Sequence, residues 1–163
     1  MSRPHGGYLA AVRRPFLFPL IAVGILLFLV ISGLLSRVFS VDGAERSAIT
    51  GLVKDEARGD ASAMVGRIER CASSAGCRAR VAADAAALKR SGSVLILEIN
   101  PSAGFSLGST LGTARVAWRA DGSLPVVQCV RVRRAGDVLS GQRVQLLELS
   151  SRIPSDSDCP TQF

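Results

Sequence analysis

Histidine is almost missing from this chain: its 163 residues include one, His5, near the N-terminus. That scarcity removes the commonest general base and the commonest imidazole metal ligand from everything downstream. Aromatic residues are few as well, at 5%. Beyond Ser40 they are Phe105, Trp118 and Phe163, too few for a platform on which nucleic-acid bases stack or for a sugar-binding groove. Lysine is limited to Lys54 and Lys89, every other basic residue being arginine. No Cys-x-x-Cys pair occurs, so the usual zinc-ribbon and thioredoxin-type spacings are missing. These gaps count against a nucleic-acid partner, a metal centre and a cofactor.

Charge is missing too, and from one place. Between Arg14 and Arg37 lie 22 residues without a charged side chain, from Pro15 through Ile25 and Leu29 to Ser36. As a helix this run would be about 33 Å long, close to the hydrocarbon thickness of a bilayer. The spacing predicts a transmembrane helix over 15–38. Pro15 and Pro19 fall in its first turns, where proline is tolerated. Arg3, Arg13 and Arg14 precede the run, while Arg37 is soon joined by Asp42 and Glu45. The bias of basic residues places 1–14 in the cytoplasm and the rest outside.

A cleaved signal peptide is the rival reading. Its apolar core is usually about 7–15 residues long and ends at a small-x-small site. Here the run is longer, and Val38-Phe39-Ser40 is a poor site. No cysteine follows closely, which counts against a lipoprotein anchor. The net charge of +7 partly reports this topology signal, because 16 basic residues face 13 acidic ones beyond Ser40. Heavy use of arginine and alanine is the composition expected of a GC-rich bacterial coding bias.

All four cysteines, Cys71, Cys77, Cys129 and Cys159, lie beyond the apolar run. An even number in a small outward domain implies two disulfides, with three pairings open; zinc held by four thiolates is the alternative. Cys71–Cys77 and Cys129–Cys159 are the favoured pairs. On one continuous helix Cys71 and Cys77 would lie about 9 Å apart, too far to bridge, so a helix break is expected at Ser73-Ser74-Ala75-Gly76.

After a connection at Ser40–Gly43, the chain reads as helical to about Arg90. Ala48, Ile49, Leu52, Val53 and Ala57 repeat at helical spacing, with Lys54, Asp55 and Glu56 falling mainly elsewhere. Gly59-Asp60 supplies a C′ glycine and then an N-cap. A short second helix carries Met64, Val65 and Ile68 towards Cys71. A third, near Arg78–Arg90, aligns Val81, Ala85 and Leu88, with Lys89 and Arg90 suited to its C-terminal end and Gly92 closing it. The period then changes to two. Strands are expected over Ser93–Asn100, Thr113–Arg119, Leu124–Arg133 and Gln142–Leu149, with turns at Asp121-Gly122 and Ala135-Gly136-Asp137. Ala114, Val116 and Trp118 share one face, as do Val130 and Val132; Cys129, Arg131 and Arg133 share the other. Leu147 and Leu149 break the alternation begun by Val144 and Leu146, as a bulge would. The fold class is α+β: a transmembrane helix, then about three helices packed on a curved four-stranded antiparallel sheet.

This pattern resembles the nuclear transport factor 2-like, cystatin-like α+β superfamily. The resemblance is carried by the leading helix ending in Ala57-Arg58-Gly59-Asp60 and by the later strands Gly112–Trp118, Leu124–Arg134 and Arg143–Leu149. It covers roughly residues 44–150. It implies a sheet curved around a helix into a cone, which in some members holds a ligand, and an accessory rather than enzymatic role in membrane-anchored bacterial versions. The chain departs from the family plan in lacking an early hairpin between helices.

Several motifs carry competing readings. Gly104-Phe105-Ser106-Leu107-Gly108 matches the G-x-S-x-G nucleophile elbow in letters. That motif needs a strand before it, a helix after it and a base; here a loop and a strand follow, His5 is on the wrong side, and Lys54 and Lys89 sit on polar helix faces. A Gly/Ser-rich connection is the preferred reading. Arg115, Arg119, Arg131, Arg133 and Arg143 could line one sheet face and meet an anionic lipid or cell-wall polymer, but a solvated face with Glu98 and Glu148 as counter-charges is the preferred reading. Trp118 reads as core; were the cone hollow, Trp118, Met64 and Val130 would wall its pocket. Asp156 and Asp158 near Cys159 fall far short of a calcium cage. The resulting reading is a single-pass membrane protein with an extracytoplasmic domain over 39–154 and a tail, 155–163, tied down by a disulfide. That domain is expected to bind or position a partner without catalysis, the partners being the bilayer and another envelope protein, an anionic lipid or a cell-wall polymer. A serine hydrolase or transferase using Ser106 and a small-ligand or lipid carrier with a pocket near Trp118 are the alternatives.

Overall fold

The computed structural model describes residues 14–101, 109–136, 143–155, 157–160 and 163. Four helical segments come first: α1 (Arg14–Arg58), α2 (Ala61–Arg67), a 3-10 turn (Cys71–Ser73) and α3 (Ala75–Leu88). Strands β1 (Val94–Asn100), β2 (Thr110–Ala120), β3 (Val126–Ala135) and β4 (Arg143–Leu149) follow. They pair in the order β1-β2-β3-β4, each neighbour antiparallel, so the sheet is an open meander. The α+β class and the four strands agree with the sequence reading.

The chain divides into two compact units, one ending at Ser36 and the other beginning at Arg37. In the first, α1 from Phe18 onward is apolar all round, with a mean hydropathy of 2.7 over its most apolar stretch, none of which is buried. It is long and apolar enough to cross a membrane. In the second unit the core is a single cluster. Ile49, Leu52, Val53 and Ala57 of α1, Met64 of α2, and Val81, Ala85 and Leu88 of α3 are buried with Ala114, Val116, Trp118, Val126, Val130 and Val132 of the sheet.

Local chemistry explains most element ends. Gly59 takes φ +73° after α1, a left-handed value that costs glycine little. Asp60 then caps α2, its carboxylate accepting the Ala63 N–H at 2.9 Å. Ser74 caps α3, accepting the Cys77 N–H at 3.3 Å. The Arg90 guanidinium donates to the carbonyls of Ala87 and Lys89, as expected of a basic residue at this helix end.

Three expectations are corrected. Residues 40–43 are helical rather than a connection, being part of α1. The break between the first two cysteines falls within Ser73–Gly76 as expected, at Ser74, preceded by a left-handed Arg70 at φ 60°, with Gly76 already inside α3. The third strand begins at Val126, one residue past Pro125, which has no N–H to give a ladder. Asp55 and Glu56 are buried, not on a polar face. The bulge expected in β4 is at Leu147: Arg131 faces Glu148 and Val132 faces Leu146, leaving Leu147 unopposed. A second irregularity, at Leu97 of β1, had no sequence signal.

Candidate functional site

Helical period already places two carboxylates of α1 on its apolar stripe. Glu45, Ile49, Leu52 and Glu56 recur at spacings of four, three and four, so both glutamates point where the leucine and isoleucine point. Neither glutamate has measurable exposure. The strand period does the same for β3, where Val126, Gln128, Val130, Val132 and Arg134 all face inward and are buried. Two polar networks result.

In the first, the Trp118 indole N–H donates to Gln128 Oε1 at 2.9 Å. That bond orients the amide, so Gln128 Nε2 donates to Glu56 Oε1 at 2.8 Å and to the Ser150 carbonyl at 3.2 Å. Glu56 Oε2 and Asp84 Oδ2, on α3, are buried without a hydrogen-bond partner among the described residues. Burial pushes the Glu56 carboxyl up to about 7; the Gln128 hydrogen bond opposes this and the Asp84 charge reinforces it. Burial also raises the Asp84 carboxyl, against the pull of Arg80. A carboxyl poised near neutrality can hold or release a proton, but here it is sealed inside the core.

The second network joins α1 to β3. Arg134 Nε donates to Glu45 at 2.8 Å, and its Nη2 reaches Asp42 at 2.6 Å. Arg134 was not among the arginines singled out from the sequence, although its parity with Val130 and Val132 carried the signal. Asp55, equally buried, bonds Arg58 and Arg67. Gly51 makes room for the latter, since a Cβ there would meet Arg67 Nη1 at 2.6 Å.

The outer face of the sheet carries the expected arginines, but they do not act as one patch. Arg131 pairs with Glu148 at 3.3 Å, and its guanidinium lies 5.3 Å from the centre of the Phe163 ring. Arg115 donates to the Ser155 carbonyl. Both are thus engaged by β4 or the C-terminal segment. Arg119, Arg133 and Arg143 are exposed and form no salt bridge among the described residues. Glu148 is a counter-charge as expected, shared with Arg80 at 3.2 Å.

The C-terminal segment follows this face. Ser150 and Ile153 donate their N–H groups to the carbonyls of Cys129 and Val127, each at 2.8 Å, and Cys129 is bridged to Cys159. Cys71 and Cys77 form the other disulfide, with Cα atoms 5.3 Å apart. Both pairs are those expected. A surface hollow of about 350 Å³ adjoins the second bridge, lined by Arg70, Cys71, Ser74, Cys77, Arg80 and Glu148 among others. Another, of about 430 Å³, lies where Leu124 and Val127 meet Arg152 and Ile153.

Met64, Trp118 and Val130 all have zero exposure within the core cluster, and neither hollow is lined by them. Ser106 and Asp156 lie outside the described residues. Asp158 is exposed, and no metal-holding group of three acids, cysteines or histidines exists among the described residues. No protein family matches this chain, and neither a curated protein nor a solved structure matches it.

Proposed function

We propose that this is a single-pass membrane protein with a cytoplasmic N-terminus and an extracytoplasmic domain that binds or positions an envelope partner without performing catalysis. One observation carries the reading: the apolar side chains of α1 between Phe18 and Leu35 are uncovered, with Phe18 at 77% and Leu20 at 72% exposure. Such a surface in water is costly, at roughly 25 cal/mol per Å² of apolar area, and a bilayer is the medium that removes the cost. The two disulfides support an oxidising compartment for the domain. The order of helices followed by an antiparallel meander supports kinship with the nuclear transport factor 2-like superfamily, and the irregularities at Leu97 and Leu147 support a curved sheet. The non-catalytic reading is supported by the sealing of Glu45, Asp55 and Glu56 inside the core, where a substrate does not reach them.

Alkaline phosphatase fused after Phe163 should be active in cells, and the same enzyme fused before Met1 inactive. The reverse pattern would invert the topology and with it the compartment. For the non-catalytic reading, a fluorophosphonate probe should leave the full chain unlabelled. Labelling that disappears in Ser106→Ala would replace this reading by a serine hydrolase or transferase.

A further inference from the structure

We propose that Cys71–Cys77 is an exchangeable disulfide, opened by the dithiol of a partner protein at the hollow beside it, whereas Cys129–Cys159 is a fixed staple. The two bridges differ in surroundings. Cys71 and Cys77 both line the hollow of about 350 Å³ and close a loop with a sequence separation of 6, against 30 for Cys129–Cys159. Within the first pair the sulfurs are unequal: Cys71 is 1% exposed and packed in the core, and Cys77 is half-buried in the first turn of α3.

That inequality assigns the roles. Cys77 is the sulfur an incoming thiolate can reach, and Cys71 is the one that leaves. A thiolate on Cys77 would sit in the opening turn of a 14-residue helix, with Arg70 and Arg80 lining the same hollow alongside Glu69 and Glu148, the latter paired with Arg80 and Arg131. Helix N-termini and nearby guanidiniums both favour negative sulfur. Arg80 is shared with Glu148, so Arg70, exposed and held in a left-handed turn directly before Cys71, is the less encumbered cation.

The exchange balances in two steps. The partner's first thiolate bonds to Cys77 Sγ as the Cys71–Cys77 bond breaks, and Cys71 departs as a thiolate that takes a proton from water. The partner's second thiolate then bonds to its first sulfur and releases Cys77. The partner dithiol is oxidised to a disulfide, and this chain gains two electrons as two thiols. Only the oxidised resting state rests on the outward placement proposed above; the exchange itself does not, and its test on purified protein is independent of compartment.

The full chain in detergent micelles, equilibrated in glutathione redox buffers at pH 7, quenched, alkylated and mapped, decides the matter. Cys71–Cys77 should open at an equilibrium constant at least tenfold more favourable than Cys129–Cys159, about 30 mV for two electrons. The near-ultraviolet signal of Trp118 should persist while it does so, and glutathione trapped at low excess should sit on Cys77. Simultaneous opening of both bridges, opening of Cys71–Cys77 only with loss of the Trp118 signal, or an adduct on Cys71 would each overturn the proposal. In Cys71→Ser, Cys77 should capture glutathione from its disulfide; where that variant does not fold, the titration of the native chain remains decisive.

Discussion

Glu56 is where pH should act on this protein. Its carboxyl is raised in the fold to about 7 from an ordinary 4.5, so between those values the folded chain binds more protons than the unfolded one. Stability from this group is therefore fully present below about 4.5, declines as pH rises towards 7, and is level above. Asp84, raised in the same direction, adds to the decline. Glu56→Gln should flatten most of this slope and stabilise the chain above pH 7 by roughly 1–3 kcal/mol, read from denaturant midpoints between pH 4 and 8.5. A native chain whose midpoint climbs with pH over that range would refute the assignment. Arg134 gives the opposite case, a buried charge with partners. Arg134→Met leaves Glu45 buried without its guanidinium and should cost about 3–5 kcal/mol in the same measurement. Both networks were legible in principle, because Glu45 and Glu56 share the period of Ile49 and Leu52, and Gln128 and Arg134 share the parity of Val130 and Val132. What hid them was residue type: polar side chains on an apolar stripe read as surface until a partner on another element is known.

At the scale of elements, ends were easier to read than starts of pairing. Gly59-Asp60 marks a real boundary, since glycine adopts φ +73° there and aspartate caps α2. Gly59→Ala should destabilise the chain by about 1–2 kcal/mol, because its Cβ would also fall 2.9 Å from Lys89 Cδ, the side chain of the residue that ends α3. Thermal melts of the full chain should register the loss while the helix content by circular dichroism stays unchanged. The alternation of β2 and β3 gave the inner face correctly, with Ala114, Val116, Trp118, Val130 and Val132 all buried. The bulge at Leu147 was legible too, as two leucines out of step. That at Leu97 was not, because the run Val94–Leu97 is apolar on both faces and carries no parity to break. The helix break before Cys77 was required by disulfide geometry, and within the expected stretch Ser73–Gly76 its position is set by the cap at Ser74. Residues 40–43 were misread because Ser40 and Gly43 signal a turn locally, whereas Val41, Asp42 and Glu45 are held in α1 by burial of Val41 and by Arg134.

For the whole molecule, the bridge from Cys129 to Cys159 spans 30 residues and fastens the C-terminal segment along the sheet. Replacing both cysteines by serine should lower stability by roughly 3–4 kcal/mol in the chain-entropy model, with added cost from a hydroxyl at the fully buried Cys129. Urea unfolding under non-reducing conditions measures it; a change below about 1 kcal/mol would show that the segment docks without the bridge. By itself the sequence determined the features that depend on local order along the chain. These are the uncharged run and its helix, the change of period from helix to strand, the class α+β, and the faces of β2 and β3. Only the tertiary structure decided which polar side chains are enclosed, where Arg115 and Arg131 spend their donors, and which disulfide adjoins a hollow. The physical reason is that period and composition fix which way a side chain faces within its own element. Whether that direction meets water, a carboxylate or a guanidinium depends on elements distant in sequence, such as Glu56 against Gln128 and Arg134 against Glu45, brought together only by burial of the shared core.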